Sequence, residues 1–441
     1  MTGQQSKAFL NVYLPCTFLL PYYYHFRIPH LPPLSAGDAA LLPLGISLLF
    51  NPVNKWRFRR MDLWVLIFVM SYGISEVTKD YVAKDGMIQW MQVGFTEMFL
   101  GYIVGRQVIE PNLRVETVKR IVFLFVAQTL FALYEFRMGQ NLWLNWGRSI
   151  FGLTDVGWFV QLRGGWARIS TCFSGAIGAG IAFMTASALN YYLIQIYKVN
   201  KTVLGPRMSK LQKYRLPFFL LIAFVYMTGS RMPLACTVLV FLILQIPRFK
   251  NIRTGALVIV LIAGSGVGAV YGYFQKYTSA PENDQMDEAQ TSAIYRKDLL
   301  VNYAPILEAG GWIGWGALNP PLVMGQSSID NGYMLVQLAQ GKLGLYDFKL
   351  MVGDAIFTLV MFAFTFKHRE SQFLAFSLMG ALIGIFVSLT TVGMGEQMTQ
   401  VIFLLLGWAV SLQDTSVLNL GSAAPVAVYP EAKFRFKRVI V

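Results

Sequence analysis

Charge is scarce in this chain. Only 14% of its 441 residues are charged and 55% are hydrophobic, whereas a soluble domain carries about 25% charged residues. That shortage excludes a soluble globular protein. Cysteine is scarce too. Cys16, Cys172 and Cys236 lie in or beside apolar segments, without pairing or metal-ligand spacing, and read as small buried hydrophobes. No Gly-rich loop ends in Lys and Ser/Thr, which excludes a built-in P-loop ATPase. His25, His30 and His368 are scattered, and no Asp/Glu spacing suggests a metal site, so neither metal nor cofactor is expected. The start offers no small-residue cleavage site, and the first span is expected to stay. No internal repeat of the kind found in many transporters is visible.

What is there in quantity is apolar chain. Runs such as Leu216 to Gly229 and Leu257 to Phe274 suit helices in a bilayer core, which needs about 17–25 such residues. A transmembrane β-barrel would show short alternating segments instead. The expectation is an all-α, polytopic membrane protein. Its helices are placed at 8–24, 34–50, 62–78, 87–105, 118–136, 171–197, 216–229, 232–247, 254–274, 345–366, 372–392 and 397–413. They form one domain, 1–441, with a long partly polar loop at 275–344 and a basic tail at 414–441.

The net charge of +14 is topological rather than a nucleic-acid signal. Of the 37 Lys and Arg residues, 24 fall in the termini and the connections 51–61, 106–120, 198–215, 248–253 and 367–371. Positive charge stays inside, so both termini are expected in the cytoplasm, with 137–170 and 275–344 facing outward. The run Lys433 to Arg438 reads as an inner anchor that can touch anionic lipid.

Four outward arginines are not explained by topology: Arg163, Arg168, Arg231 and Arg296. A lone outer Arg is often a snorkelling anchor. Arg231 differs, because it has apolar chain on both sides and Gly229 and Pro233 beside it. Broken backbone at membrane depth is tolerated only where it lines a cavity or is buried, and an Arg there is a functional candidate. Several guanidiniums on one face suit a diphosphate. On the acidic side stand Glu308 and Asp330 in the long loop. Asp330 is either an N-cap for the helical run after Asn331 or a general base. Glu308 is either a solvated loop residue or part of a site. The run Glu282 to Glu288 reads as solvated surface. Asp38, Glu76, Glu97 and Asp354 are the main acids inside the helices, few for a proton-coupled transporter.

Four pieces in order then form a pattern: Arg168 with STCFSGAIGAG; TGSRMPLA around Arg231; Arg296 with LLVNYAPILEAGGWIGWG; and SSIDNGYMLVQLAQGKLGL. Over residues 165–370 this resembles the O-antigen ligase/polymerase superfamily of bacterial polysaccharide assembly. The resemblance implies a GT-C-like membrane glycosyltransferase in the bacterial inner membrane, metal-independent and inverting. Its donor would be a glycan on undecaprenyl diphosphate, contacted by Arg168, Arg231 and Arg296. A glycan acceptor hydroxyl attacks, and lipid diphosphate leaves. Arg groups would steady the departing charge. Arg163, Glu308 and Asn331 are weaker candidates. Trp312 and Trp315 either stack on sugars or belong to an interfacial belt. Ligases of the family typically carry His-Asn where this chain has Asp330–Asn331. That favours a polymerase, with Asp330 as base and a chain-length regulator open as a protein partner. A ligase or protein glycosyltransferase of the same superfamily is the first alternative. A flippase or transporter of lipid-linked sugars is the second.

Overall fold

The computed structural model describes residues 2–26, 33–78, 83–152, 158–199, 208–278, 288–318, 320–323, 326, 328–366, 368–393, 395 and 397–419. The basic run 433–438, the acidic residues 282–287 and Ser327 lie outside the described residues.

An apolar chain without water must satisfy its backbone internally, and helices do this segment by segment. The described chain is accordingly 77% helical. In order come α1 (Thr2–Ala8), a π-helical stretch and α2 (Leu14–Leu19), then α3 (Ala36–Phe50) and α4 (Arg60–Val77). Next are α5 (Ala83–Gln89), a second π-helical stretch and α6 (Gly101–Val108). These are followed by α7 (Arg114–Met138), α8 (Leu142–Phe151), α9 (Ala176–Val199), α10 (Met208–Met227) and α11 (Arg231–Ile243). The series ends with α12 (Ile252–Thr278), α13 (Glu288–Ala309), α14 (Gly332–Thr365), α15 (Arg369–Ser388) and α16 (Gln397–Asn419). Strands among the described residues are two antiparallel pairs of two residues each: β1 (His25–Phe26) with β2 (Leu34–Ser35), and β3 (Leu162–Arg163) with β4 (Trp166–Ala167).

Among the described residues, five helices are long and apolar enough to cross a membrane: Arg114–Met138, Ala176–Tyr197, Arg231–Arg248, Gly332–Thr365 and Arg369–Ser388. Apolar helices at Ala36–Phe50, Tyr214–Met227, Ile252–Gly266 and Gln397–Gln413 are shorter. α4 has the length but carries Arg60, Asp62 and Glu76. Each of these charges is engaged. Asp62 forms a buried ion pair with Arg106 and accepts from the Tyr102 hydroxyl at 2.6 Å, while Arg106 stacks 4.1 Å from the Trp56 ring. Arg60 meets Asp354 at 2.9 Å. Glu76 accepts from the Ala317 amide. Pairing of this kind is what lets ionised groups sit inside an apolar bundle.

One expectation needs correction. The segment 275–344 holds more helix than a loop does: α12 runs on to Thr278, α13 occupies Glu288–Ala309, and the helical run after Asn331 joins the span placed at 345–366 as one element, α14. α14 is two helices meeting at Gly341, where φ is 68° and ψ is −162°. The Gly/Trp turn fills that break. The Trp315 and Gly316 amides donate to Leu338 and Ala339 carbonyls at 2.6 and 3.1 Å. The Lys342 and Leu343 amides donate to Gly311 and Trp312 carbonyls at 2.9 and 3.2 Å. The turn thus supplies the hydrogen bonds that the break removes.

α6 and α16 pack at the closest approach. A Cβ on Gly407 would stand 2.1 Å from the Tyr102 carbonyl oxygen, and one on Gly105 would stand 2.1 Å from that of Leu404. Small residues let apolar helices touch backbone to backbone. We expect Gly407→Ala to cost about 1–3 kcal/mol, the usual range for overpacking. Gly353→Ala, with nothing within 4 Å of its Cβ position, should be neutral. Thermal unfolding of the two purified variants in detergent compares them directly.

Candidate functional site

The site is built on the end of α7. This helix stops at Gly139, and its last turn carries Glu135, which is 1% exposed. The Oε2 atom of Glu135 accepts from the Ser170 and Thr171 amides at 3.1 and 2.8 Å. Its Oε1 accepts from Asn141 Nδ2 at 2.9 Å, and the same nitrogen donates to the Thr171 carbonyl at 2.8 Å. Asn141 meanwhile caps α8 by accepting from the Leu144 amide at 3.0 Å. This clamp holds Thr171 at φ 53°, the one described non-glycine residue with positive φ. Such strain persists only where surrounding bonds over-determine it. Cys172 follows directly, and burial pushes its thiol up to about 12, so it stays protonated and inert.

Immediately before the clamp, β3 and β4 form a hairpin that pairs Leu162 with Ala167 and Arg163 with Trp166. Trp166 stacks on Phe136 with ring centroids 5.2 Å apart, which ties the hairpin to α7. Between hairpin and clamp stands Arg168. Its Nε donates to the Thr228 carbonyl at 3.0 Å, its Nη2 to Ser230 Oγ at 2.8 Å, and its Nη1 to Gln161 Oε1. Arg163 Nη1 donates to the Gly229 carbonyl at 2.8 Å. Two guanidiniums therefore cap the carbonyl end of α10, where positive charge is favoured. Arg231 then opens α11, exposed, with no hydrogen-bond or ion-pair partner among the described residues.

Arg168 also lines a cavity of about 450 Å³ between α9, α14, α15 and α16. Its lining includes the polar residues Gln161, Arg168, Ser170, Ser174 and Gln397. Ser174 Oγ and Gln397 Oε1 are buried there without a hydrogen-bond partner among the described residues. The remaining wall is apolar, with Ile177, Ile181, Leu335, Ile385, Leu389 and Ile402.

The other candidates divide. Asn331, not Asp330, caps α14, accepting from the Tyr333 and Met334 amides at 3.0 and 3.1 Å. The capping reading of Asp330 is thereby corrected, since the residue after it fills that role. Asp330 Oδ1 accepts from Ser328 Oγ at 3.0 Å. The next amide but one, Gly332 N–H, donates to Leu389 O at 2.7 Å. Arg296 lies on α13 beside Tyr295, and the Tyr295 hydroxyl bonds the carbonyl and the amide of Ser328 at 2.7 and 3.1 Å. Neither Arg296 nor Asp330 lines the cavity. Glu308 is bound to Lys342 at 2.6 Å. Trp315 donates its ring N–H to the Ile306 carbonyl at 2.9 Å and belongs to the helix break. Trp312 is 64% exposed, with its ring centroid 6.4 Å from that of Tyr346. Arg163, Arg168 and Arg231 are brought to one turn, whereas Glu308 and Trp315 are committed to structure elsewhere.

Sequence reasoning missed Glu135, Asn141, Ser174 and Gln397. The available signal was an acid one turn before a Gly stop, with an Asn at the next helix start. Among the described residues, no group of three or more His, Cys, Asp and Glu side chains is placed to hold a metal ion. No protein-family model matches the chain, and no curated protein sequence is similar to it.

Glu135→Gln should loosen the clamp, because its new NH2 faces the Asn141 NH2. The polar groups left unpaired where the Asn141 bond is lost cost about 1–3 kcal/mol, so the clamp opens more often and hydrogen exchange at Ser170 and Thr171 should accelerate about tenfold or more. Adding Asn141→Asp supplies an acceptor and still caps α8. It should recover part of the protection, as measured by exchange mass spectrometry.

Proposed function

We propose that this chain is a membrane glycosyltransferase that polymerises lipid-diphosphate-linked oligosaccharide repeats on the outer face of the bacterial inner membrane, with both termini cytoplasmic. The observation that carries the reading is the cavity between helices whose lining combines Arg168 with apolar side chains. A polyprenyl chain is apolar and long, and its diphosphate is compact and multiply charged. A ligand of that kind needs an apolar slot between helices that ends in fixed guanidiniums. Arg231 stands at the same turn as Arg168, at a helix N-terminus, where backbone N–H groups also favour anions.

In the proposed reaction, an acceptor hydroxyl attacks the anomeric carbon of the donor glycan. The bond from that carbon to the diphosphate oxygen breaks, and the lipid diphosphate leaves with the electron pair. Arg168 and Arg231 hold the charge that grows on the leaving oxygen. Arg168 is held by hydrogen bonds to Thr228, Ser230 and Gln161, so little reorganisation accompanies the step. Asp330 takes the acceptor proton, a role supported by its freedom from capping duty. Arg296 approaches the donor from α13, and Trp312 offers an exposed aromatic face to sugar.

Turnover of a synthetic undecaprenyl-diphosphate repeat by purified protein tests this reading. Arg231→Lys should remain impaired at least tenfold, because an ammonium lacks the planar fork. Near-normal polymer from that variant would contradict bidentate phosphate binding. Asp330→Asn should abolish turnover while leaving donor affinity within about twofold, as expected of a base. Retained activity would remove Asp330 from the mechanism. Transfer only after addition of a lipid A core or protein acceptor would instead identify a ligase.

A further inference from the structure

The stretch leading into the β3–β4 hairpin brings Trp158, Phe159 and Gln161 to the lining of the Arg168 cavity. It is fastened at both ends. Trp158 meets Tyr23 edge-on, with ring centroids 6.0 Å apart, and Tyr23 is buried. Gln161 is tied to Arg168 twice: its carbonyl accepts from the Arg168 amide at 2.9 Å, and its side-chain Oε1 accepts from Arg168 Nη1. A guanidinium offers donors only, so the Gln161 side chain turns its oxygen toward it and its Nε2 away. That Nε2 has no hydrogen-bond partner among the described residues. Phe159, between these anchors, is 73% exposed, and its ring meets no other ring among the described residues. A bare aromatic face thus stands beside an idle amide donor, two residues from a group bonded to Arg168.

We propose that Phe159 and Gln161 form the subsite for the first sugar of the lipid-linked donor, a pyranose. Its C–H face lies on the Phe159 ring, and one of its oxygen substituents accepts from Gln161 Nε2. A pyranose has both surfaces: its C–H groups make an apolar face, and its hydroxyl or acetamido oxygens at the rim accept hydrogen bonds. An aromatic ring suits the first, and a neutral amide donor suits the second. The first sugar is bonded directly to the diphosphate. A diphosphate on Arg168 therefore brings that sugar within reach of the residues tied to Arg168. The inference rests on the reading of this cavity as a lipid-diphosphate site and adds where the saccharide is recognised.

The test titrates full-length protein in nanodiscs with two lipids, undecaprenyl diphosphate and undecaprenyl diphosphate bearing one N-acetylglucosamine. The ratio of the two dissociation constants is the readout, so a change at Arg168 that affects both lipids alike cancels. The sugar-bearing lipid should bind about tenfold tighter, as one stacking contact and one neutral hydrogen bond together supply. Phe159→Ala should cut that ratio about fivefold, and Phe159→Trp, with a larger flat face, should keep it. Gln161→Ala should cut it about threefold. Equal binding of the two lipids by the unmodified protein overturns the subsite even if every variant fails to fold. A ratio unchanged in Phe159→Ala, as equal loss of both lipids from a mere bilayer anchor would give, also overturns it. Both results leave the diphosphate reading intact. Failure of the bare lipid to bind at all would overturn that reading and the subsite with it.

Discussion

A buried carboxylate must be surrounded by donors to stay in place, and Glu135 is surrounded by three. It grips two consecutive backbone amides, Ser170 and Thr171, and the Asn141 side chain. That grip bends the chain through the left-handed conformation of Thr171 and so decides how the β3–β4 hairpin meets α9. Arg168 lies two residues before the grip and reaches the 228–231 turn from there. Arg163 reaches the same turn from the hairpin. The clamp therefore sets where two guanidiniums sit relative to the end of α10, one of which, Arg168, lines the cavity. In an apolar bundle such a constraint is strong, because the alternative for each group is to lose its partner with no water to replace it.

The second organising constraint is the break in α14. A helix interrupted inside an apolar bundle leaves carbonyls and amides without partners, and the Gly310–Gly316 turn supplies them. Ser71 and Ser75 of α4 add side-chain bonds to Gln340 and to the Ala339 carbonyl. The break thereby docks α13 and its following turn onto the bundle. Tyr295 and Ser328 close the other side of that arrangement. Asp330 is held between the two fixed points, next to the Asn331 cap and the Gly332–Leu389 bond.

Much of this was legible in the residues. Apolar length identified the long helices, because period and hydrophobicity survive any packing. The tight turn between Gly229 and Pro233 also appears where expected, since Gly and Pro punctuate helices whatever surrounds them. Arg231 stood out because it interrupts an apolar run. The clamp was not legible. Glu135 looks like any acid near the end of a span, and only folding shows that its partners come 35 residues later. The helix break was not legible for a related reason. Gly341 and Gly344 carry turn chemistry locally, and the stretch that replaces their lost hydrogen bonds lies at 311–316. Trp315 reads in sequence like Trp312, as a sugar platform or an interfacial-belt residue, and only the fold shows that its ring N–H is committed to the Ile306 carbonyl. Long-range pairing decides such cases, and local pattern does not encode it.

The central claim is that the Arg168 cavity receives a lipid diphosphate. An electron cryomicroscopy structure of the protein with undecaprenyl diphosphate, in lipid nanodiscs, tests it most directly. The account predicts phosphate density within hydrogen-bonding distance of Arg168 and Arg231, and a polyprenyl chain running past Ile177, Leu335 and Ile385. A diphosphate bound away from these arginines, or a cavity filled by acyl chain alone, would contradict it.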